Sequence, residues 1–327
     1  MTDTDIDIAL ALPARVDDRW SLAAQVGVDQ AVVHPSMSTA EGRRGETPWD
    51  YDGLLRMRNA FEDAGLEVAV IEGGWPLTDT TRLGKDGRDE ELDQICDFIR
   101  AVGAVDIPVI CYSWMTNFWW VRTTATRRTR GGALTTAYND DQWQAGPEPE
   151  DAPVTEDHLW ETLEYFLERV CPVAEEAGVK LALHPDDPPL SPSRGVARIA
   201  RSVEAYDRIM SIYDGAANGI CFCQGNFAAM GADIPDAIRR FDDRIHFVHF
   251  RDVEGTPEAF TETWQDDGPT DMLAAMRAYA DIGFDGPMRP DHVPTMTGES
   301  NDRPGYHTMG RLFAVGYMRG LLEQVDS

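Results

Sequence analysis

Eight times along the chain a short β-rich run is followed by a longer amphipathic stretch, and that alternation predicts parallel strands connected by helices. The apolar runs are Ile6–Leu12, Gln30–His34, Leu66–Glu72, Ile107–Tyr112, Lys180–His184, Gly219–Cys223, Ile245–Phe250 and Gly286–Arg289. The helical partners are Ala14–Val26, Asp50–Ala64, Asp89–Val102, Glu156–Ala177, Val203–Tyr213, Ile234–Phe241, Met272–Ile282 and Gly305–Gln324. Three helices end in the same punctuation, a glycine and then a strand: Ala64-Gly65-Leu66, Ala177-Gly178-Val179 and Ile282-Gly283-Phe284. The expected fold is α/β, a (β/α)₈ TIM barrel in one domain over residues 1–327, and 327 residues suit that class.

The fourth helix carries the clearest period. Leu159, Leu163, Phe166 and Val170 recur at helical spacing, while Glu161, Glu164 and Glu168 fall away from that stripe. One segment breaks the rhythm. Residues 114–155 hold Trp119, Trp120, paired Gly131-Gly132 and a run of acids with no usable period, too long for a structureless connection in a compact domain. Placed after the fourth strand, it is expected near the barrel mouth as a substrate cover, the alternatives being a disordered excursion or one contacting a second copy in a homo-oligomer.

Charge narrows the partners. The 57 acidic and 29 basic side chains leave a net charge of −28, and all but Lys85 and Lys180 of the basic residues are arginine. Nucleic acid and anionic membranes are poor partners for such a surface. With 43% hydrophobic residues and 9 Trp the chain can still bury a core, so the acid excess reads as adaptation to a saline cytoplasm. Five cysteines at no regular spacing argue for a reducing compartment. The stretch Met1–Leu12 has no basic leader, and no run of about 18 apolar residues occurs, so a cytoplasmic protein without a membrane span is expected.

In such a barrel the chemistry stands at the C-terminal ends of the strands. Four successive ends carry metal-ligand side chains: His184, Cys223, His249 and Asp291. Adjacent strands run about 4.8 Å apart, which brings four such groups within reach of one ion. His249 is chosen over His246 because the two have opposite parity and His249 lies nearer the strand end, leaving His246 a structural role. Cys221 and Cys223 share parity, and Cys223 is preferred because it precedes the Gln224-Gly225 turn. Two imidazoles, a thiolate and a carboxylate suit a divalent metal: Mn²⁺ is expected, with Fe²⁺ the alternative and Co²⁺ or Zn²⁺ also compatible. Glu72 is either an acid supporting the ligands or a plain polar mouth residue. His34 and His158 are read as structural or solvated. No P-loop, nucleophile elbow or dinucleotide fingerprint is present.

The strand-end motifs, HPDDPP from His184, HFVHFR from His246 and MRPDH from Met288, together with Cys223-Gln224-Gly225 and Pro304-Gly305-Tyr306, resemble the mannonate dehydratases of the hexuronate pathway. The likeness is to the metal-dependent type related to xylose-isomerase-like barrels. It implies metal ligands at His184, Cys223, His249 and Asp291, and acid/base residues at His292 and Tyr306, without fixing which is base and which acid. It also implies a sugar-acid substrate, D-mannonate, dehydrated to 2-keto-3-deoxy-D-gluconate. Arg251 and Arg122 are expected to hold the anionic substrate.

The sequence departs from the family after HPDDPP, at Gly225-Asn226-Phe227-Ala228 and throughout 114–155, all where substrate would be held. These departures bear on which aldonate is bound more than on the chemistry. A sugar isomerase or epimerase on the same barrel is the alternative enzyme, and a non-catalytic sugar-acid sensor with a structural metal is the alternative from another class.

Overall fold

A computed structural model describes residues 6–34 and 50–325; the first five residues of the N-terminal stretch read for targeting signals lie outside the described residues. Twelve strands are present among them: β1 Asp7–Leu12, β2 Gln30–Val33, β3 Glu67–Glu72, β4 Val109–Ser113, β5 Thr124–Arg128, β6 Leu134–Asn139, β7 Lys180–His184, β8 Asn218–Cys223, β9 Ile245–Phe250, β10 Val253–Thr256, β11 Ala259–Glu262 and β12 Pro287–Pro290. Eight of them close a parallel barrel in the order β1-β12-β9-β8-β7-β4-β3-β2. The ring shuts where Asp7 and Ile8 pair in parallel with Pro287 and Met288. Each predicted apolar run is one of these eight strands.

Alternation along the strands sorts side chains into two cores. Ala9, Val32, Val70, Val109, Cys111, Ala182, Cys221 and Phe247 fill the lumen. Their neighbours Leu10, Val33, Ile71, Ile110, Leu183, Phe222, Val248 and Met288 face the surrounding helices. The lumen residues are mostly small, and continuing their parity toward the strand ends reaches Glu72, His184, Cys223 and His249. Parity therefore aims those four at the mouth, while His246 faces outward and bonds the Leu181 carbonyl through Nδ1 at 2.9 Å.

Helix Glu156–Ala177 shows how the outer layer forms. Thr155 caps its start by accepting from the His158 N–H at 3.3 Å, and Gly178 ends it at φ 70°, a conformation that favours glycine. Gly65 and Gly283 repeat that stop. A Cβ at these three positions would meet nothing within 4 Å, so backbone conformation rather than space selects glycine. Leu159, Leu163, Phe166 and Val170 are fully buried, each worth roughly 1.5–3 kcal/mol of transfer free energy. Glu161, Glu164 and Glu168 are exposed.

The segment 114–155, read from sequence as aperiodic, contains β5, β6 and the short helix Asp140–Gln144. Gly131 and Gly132, with φ of 65° and 86°, turn β5 into β6. Strand β6 pairs antiparallel with β11, and the hairpin β10–β11 leaves the barrel just after β9. The result is a second, four-stranded sheet in the order β10-β11-β6-β5. It carries Trp120 and Arg122 on its approach and Glu262 at its far strand end, all of which reach the barrel mouth. No helix among the described residues is long and apolar enough to cross a membrane.

Candidate active site

Cys223 and His249 are register partners across β8 and β9, and His184 ends β7 beside them. One ligand atom from each of these three residues lies within 4.8 Å of the other two. His184 Nδ1 sits 2.7 Å from the Pro185 carbonyl, the donor arrangement that leaves Nε2 with a free lone pair. Burial holds the His184 imidazole below its ordinary range against the opposing pull of Asp187 and Glu72, which keeps it neutral as ligation requires. The Cys223 sulfur, fully buried, accepts from Arg251 Nε at 3.0 Å.

His249 supplies the observation that tests a cation here. It is buried, yet neither ring nitrogen makes a well-formed hydrogen bond. Glu72 Oε1 lies 3.2 Å from Nε2 and Asp291 Oδ2 lies 3.5 Å from Nδ1, so carboxylates crowd an imidazole with unsatisfied lone-pair capacity. Orphaned buried polar atoms cost about 1–3 kcal/mol each, and a divalent ion among two imidazoles, a sulfur and nearby carboxylates removes that cost. The residues fit such a group. Asp291, the fourth sequence-predicted donor, stands beside the three-residue cluster; its Oδ1 is 2.8 Å from Arg289 Nη1. Although burial alone would raise its pKa, Arg289, then His292 and His249, hold the Asp291 carboxyl well below the usual range.

His292 follows β12 with φ 49°, a left-handed backbone for a non-glycine residue, the kind of strain of about 1–3 kcal/mol that gathers at functional sites. Its Nε2 lies 2.8 Å from the Tyr306 hydroxyl. Its Nδ1 lies 2.8 Å from Arg251 Nη1 and 3.1 Å from Glu262 Oε1. The Trp120 ring covers the pair, with centroids 4.9 Å from His292 and 5.9 Å from Tyr306. Burial, reinforced by the Asp291 carboxylate, pushes the Tyr306 phenol far above its ordinary value, so it keeps its proton at neutral pH.

A cavity of about 220 Å³ opens over these groups, lined among others by His184, His249, His292 and Tyr306. The arginines that line it are Arg82 and Arg289, not the two expected from sequence. Arg251 and Arg122 stand behind that lining: both guanidinium groups are buried and paired with protein carboxylates. Arg122 Nη1 is 2.6 Å from Asp187 Oδ1 and also pairs with Glu262; Arg251 reaches Asp187 at 3.0 Å and Glu262 at 2.5 Å. Arg289 is paired too, at 3.0 Å from Glu72 Oε1, but its edge borders the cavity. Arg82 donates to the Ser113 and Leu77 carbonyls at 3.1 and 3.3 Å, with its guanidinium carbon 4.4 Å from the centre of the Trp119 ring. Burial lowers its pKa to about 10, which leaves it charged at neutral pH.

Sequence reasoning missed Glu262, Arg82 and the bordering role of Arg289. Arg289 stands two residues before Asp291 and shares its parity, a signal that was available. Glu262 had none, because its place depends on pairing between distant strands.

A family model described as "D-mannonate dehydratase (UxuA)" matches residues 20–152 and 150–327. A protein named "Mannonate dehydratase 2" from Halalkalibacterium halodurans is 34% identical over 308 residues, covering 85% of this chain and 88% of that one. A mannonate dehydratase from Oceanobacillus iheyensis is 32% identical over 306 residues, covering 85% and 87%. The crystal structure of a mannonate dehydratase from Streptococcus suis serotype2 superposes with a TM-score of 0.89 at 31% identity, over 98% of this chain and 93% of that one.

Proposed function

The chain belongs to the D-mannonate dehydratase family, and we propose that it removes water from D-mannonate to give 2-keto-3-deoxy-D-gluconate, with His292 and Tyr306 moving the protons. The observation that carries this reading is the 2.8 Å contact between His292 Nε2 and the Tyr306 hydroxyl inside a cavity that also borders His184 and His249.

The C2 proton of an aldonate is weakly acidic, and the C3 hydroxyl is a poor leaving group. The reaction therefore needs stabilisation of charge on the carboxylate, a base at C2 and an acid at C3. A divalent cation held by His184, Cys223 and His249, with Asp291 beside them, supplies Lewis acidity toward the substrate carboxylate. Mn²⁺ is the proposed ion, with Fe²⁺, Co²⁺ or Zn²⁺ as alternatives the same donors accept. One member of the His292–Tyr306 pair takes the C2 proton as the C3–O bond breaks, and the other protonates the departing hydroxyl. The enol left behind becomes the keto acid by moving its hydroxyl proton to C3. Arg289 and Arg82, which border the cavity, face the anion, with Arg251 and Arg122 behind them, and Trp119 and Trp120 wall the cavity against water.

All five cysteines are buried and free, which supports a reducing compartment, and the cytoplasm is the proposed location. The test is to incubate the purified protein with Mn²⁺ at high salt and D-mannonate, and to read keto acid with semicarbazide. Formation of one keto acid per substrate consumed is expected. Silence with metal bound sinks the proposal, and an isomerised product without keto acid supports the isomerase alternative instead.

A further inference from the structure

We propose that Glu262 is a positioning residue of this dehydration, a carboxylate brought in from outside the barrel that fixes the ring orientation of His292 and so keeps Nε2 on Tyr306 and the cavity. The inference rests on the function proposed above and extends it to a residue on β11, a strand the barrel does not need.

His292 Nδ1 stands within hydrogen-bond reach of two groups of opposite character: Glu262 Oε1 at 3.1 Å, which can only accept, and Arg251 Nη1 at 2.8 Å, which can only donate. Whichever tautomer the imidazole takes, a nitrogen at that position satisfies one of them. Turning the ring over would put a carbon there and another opposite Tyr306, leaving both contacts unmade. The ring orientation is thus set whatever the proton does.

Glu262 can hold this place because two arginines neutralise it. Arg251 and Arg122 each contact both Glu262 and Asp187, making a buried set of two cations and two anions with side chains at most 3% exposed. Without the arginines a carboxylate at this depth would take up a proton. Glu262 Oε2 makes no hydrogen bond, so the contacts run through Oε1, the oxygen that meets His292.

The second sheet acquires a purpose from this. Strand β11 is held by β6 from the 114–155 segment, with Ala259, Phe260 and Thr261 opposite Asn139, Tyr138 and Ala137, and Glu262 is the next residue. Thr135 Oγ1 donates to the Glu262 carbonyl at 3.2 Å and anchors its backbone. The segment leading into the same sheet brings the Trp120 ring against the imidazole, with centroids 4.9 Å apart. The excursion builds a wall of the site.

The test compares wild type, Glu262→Gln and Glu262→Ala for kcat, KM and bound metal. Glu262→Gln keeps volume and an acceptor oxygen but loses the charge that anchors the two arginines. Its kcat should fall about 10–100-fold, by analogy with losing the carboxylate that orients a metal-ligating histidine, with KM and metal content within about threefold of wild type. Glu262→Ala should fall further and recover partly with added formate. In metal-free protein carrying ¹⁵N-histidine, the His292 Nδ1 resonance should move in Glu262→Gln while that of His246 stays. Wild-type kcat in Glu262→Gln, an unmoved His292 resonance, or a loss of activity that only tracks lost metal or lost fold overturns the inference. An inactive wild type overturns the dehydratase reading instead, and the resonance test still decides the orientation claim.

Discussion

Arg251 donates its Nε–H to the sulfur of Cys223 across 3.0 Å, while the other end of the same guanidinium lies against Glu262 and Asp187. One buried cation therefore joins the sulfur of the candidate metal cluster to the carboxylate behind His292. Arg251→Ala would leave two buried carboxylates sharing only Arg122. Stability should drop by about 3–5 kcal/mol, the range for breaking a buried pair from one side, read from urea unfolding midpoints. A loss under 1 kcal/mol would show that the network is solvated.

His249 and His246 lie three residues apart on β9 and face opposite sides of it. His249→Ala should lose both bound metal and turnover while folding normally. His246→Ala should keep its metal after dialysis but lose about 2–4 kcal/mol of stability, through a missing hydrogen bond to Leu181 and a cavity beside Gly219. Equal metal loss in both variants contradicts the placement of the cation.

The barrel was legible because each strand needs only its own alternation to declare itself, and the parity that fills the lumen with Ala182, Cys221 and Phe247 also aims His184, Cys223 and His249 at one point. The second sheet was not. It depends on β6 pairing with β11 more than a hundred residues later, and neither strand exceeds six residues, so no local period announces it. The carboxylate partners of Arg251 and Arg122 were hidden for a related reason. An arginine near a mouth looks like an anion clamp until the carboxylates that occupy it, one of them Glu262 from the unseen hairpin, are placed. Arg82 sits on a four-residue helix, too short for periodicity to place it.

His246 also gives a pH signature. Burial lowers its pKa from 6.5 to about 4, so the folded protein holds it neutral while the unfolded chain charges it below pH 6.5. The unfolded state binds the extra proton between those values, so this group's contribution is complete above pH 6.5 and is lost as pH falls toward 4, by about 3 kcal/mol in all. Wild type and His246→Gln, compared by urea unfolding at pH 7 and pH 4.5, should show a stability difference that shifts against wild type at the lower pH. A difference independent of pH means the imidazole is charged in the fold.

Tyr306 contacts His292 but none of the three clustered donors is its hydrogen-bond partner. Tyr306→Phe should therefore reduce kcat by about 10²–10⁴-fold, the range for losing a positioned acid or base, with metal content unchanged. Full activity in that variant would remove the phenol from the chemistry and leave His292 to act alone or through water.

A net charge of −28 must work against the compact state at low ionic strength. Many of the ion pairs are exposed and short in reach, such as Arg169 with Asp93 and Arg239 with Asp281, and each is worth at most about 1 kcal/mol. Salt weakens those pairs, but it weakens the far more numerous like-charge repulsions too, because the screening length shrinks from about 10 Å at 0.1 M to about 3 Å at 1 M. Repulsion should dominate with 57 acids against 29 bases. The unfolding temperature should therefore rise steadily between 0.1 and 1 M KCl, with no plateau at the lower end. A falling or flat curve over that range would mean that surface pairing outweighs repulsion, and that the acidic excess answers some need other than a saline surrounding.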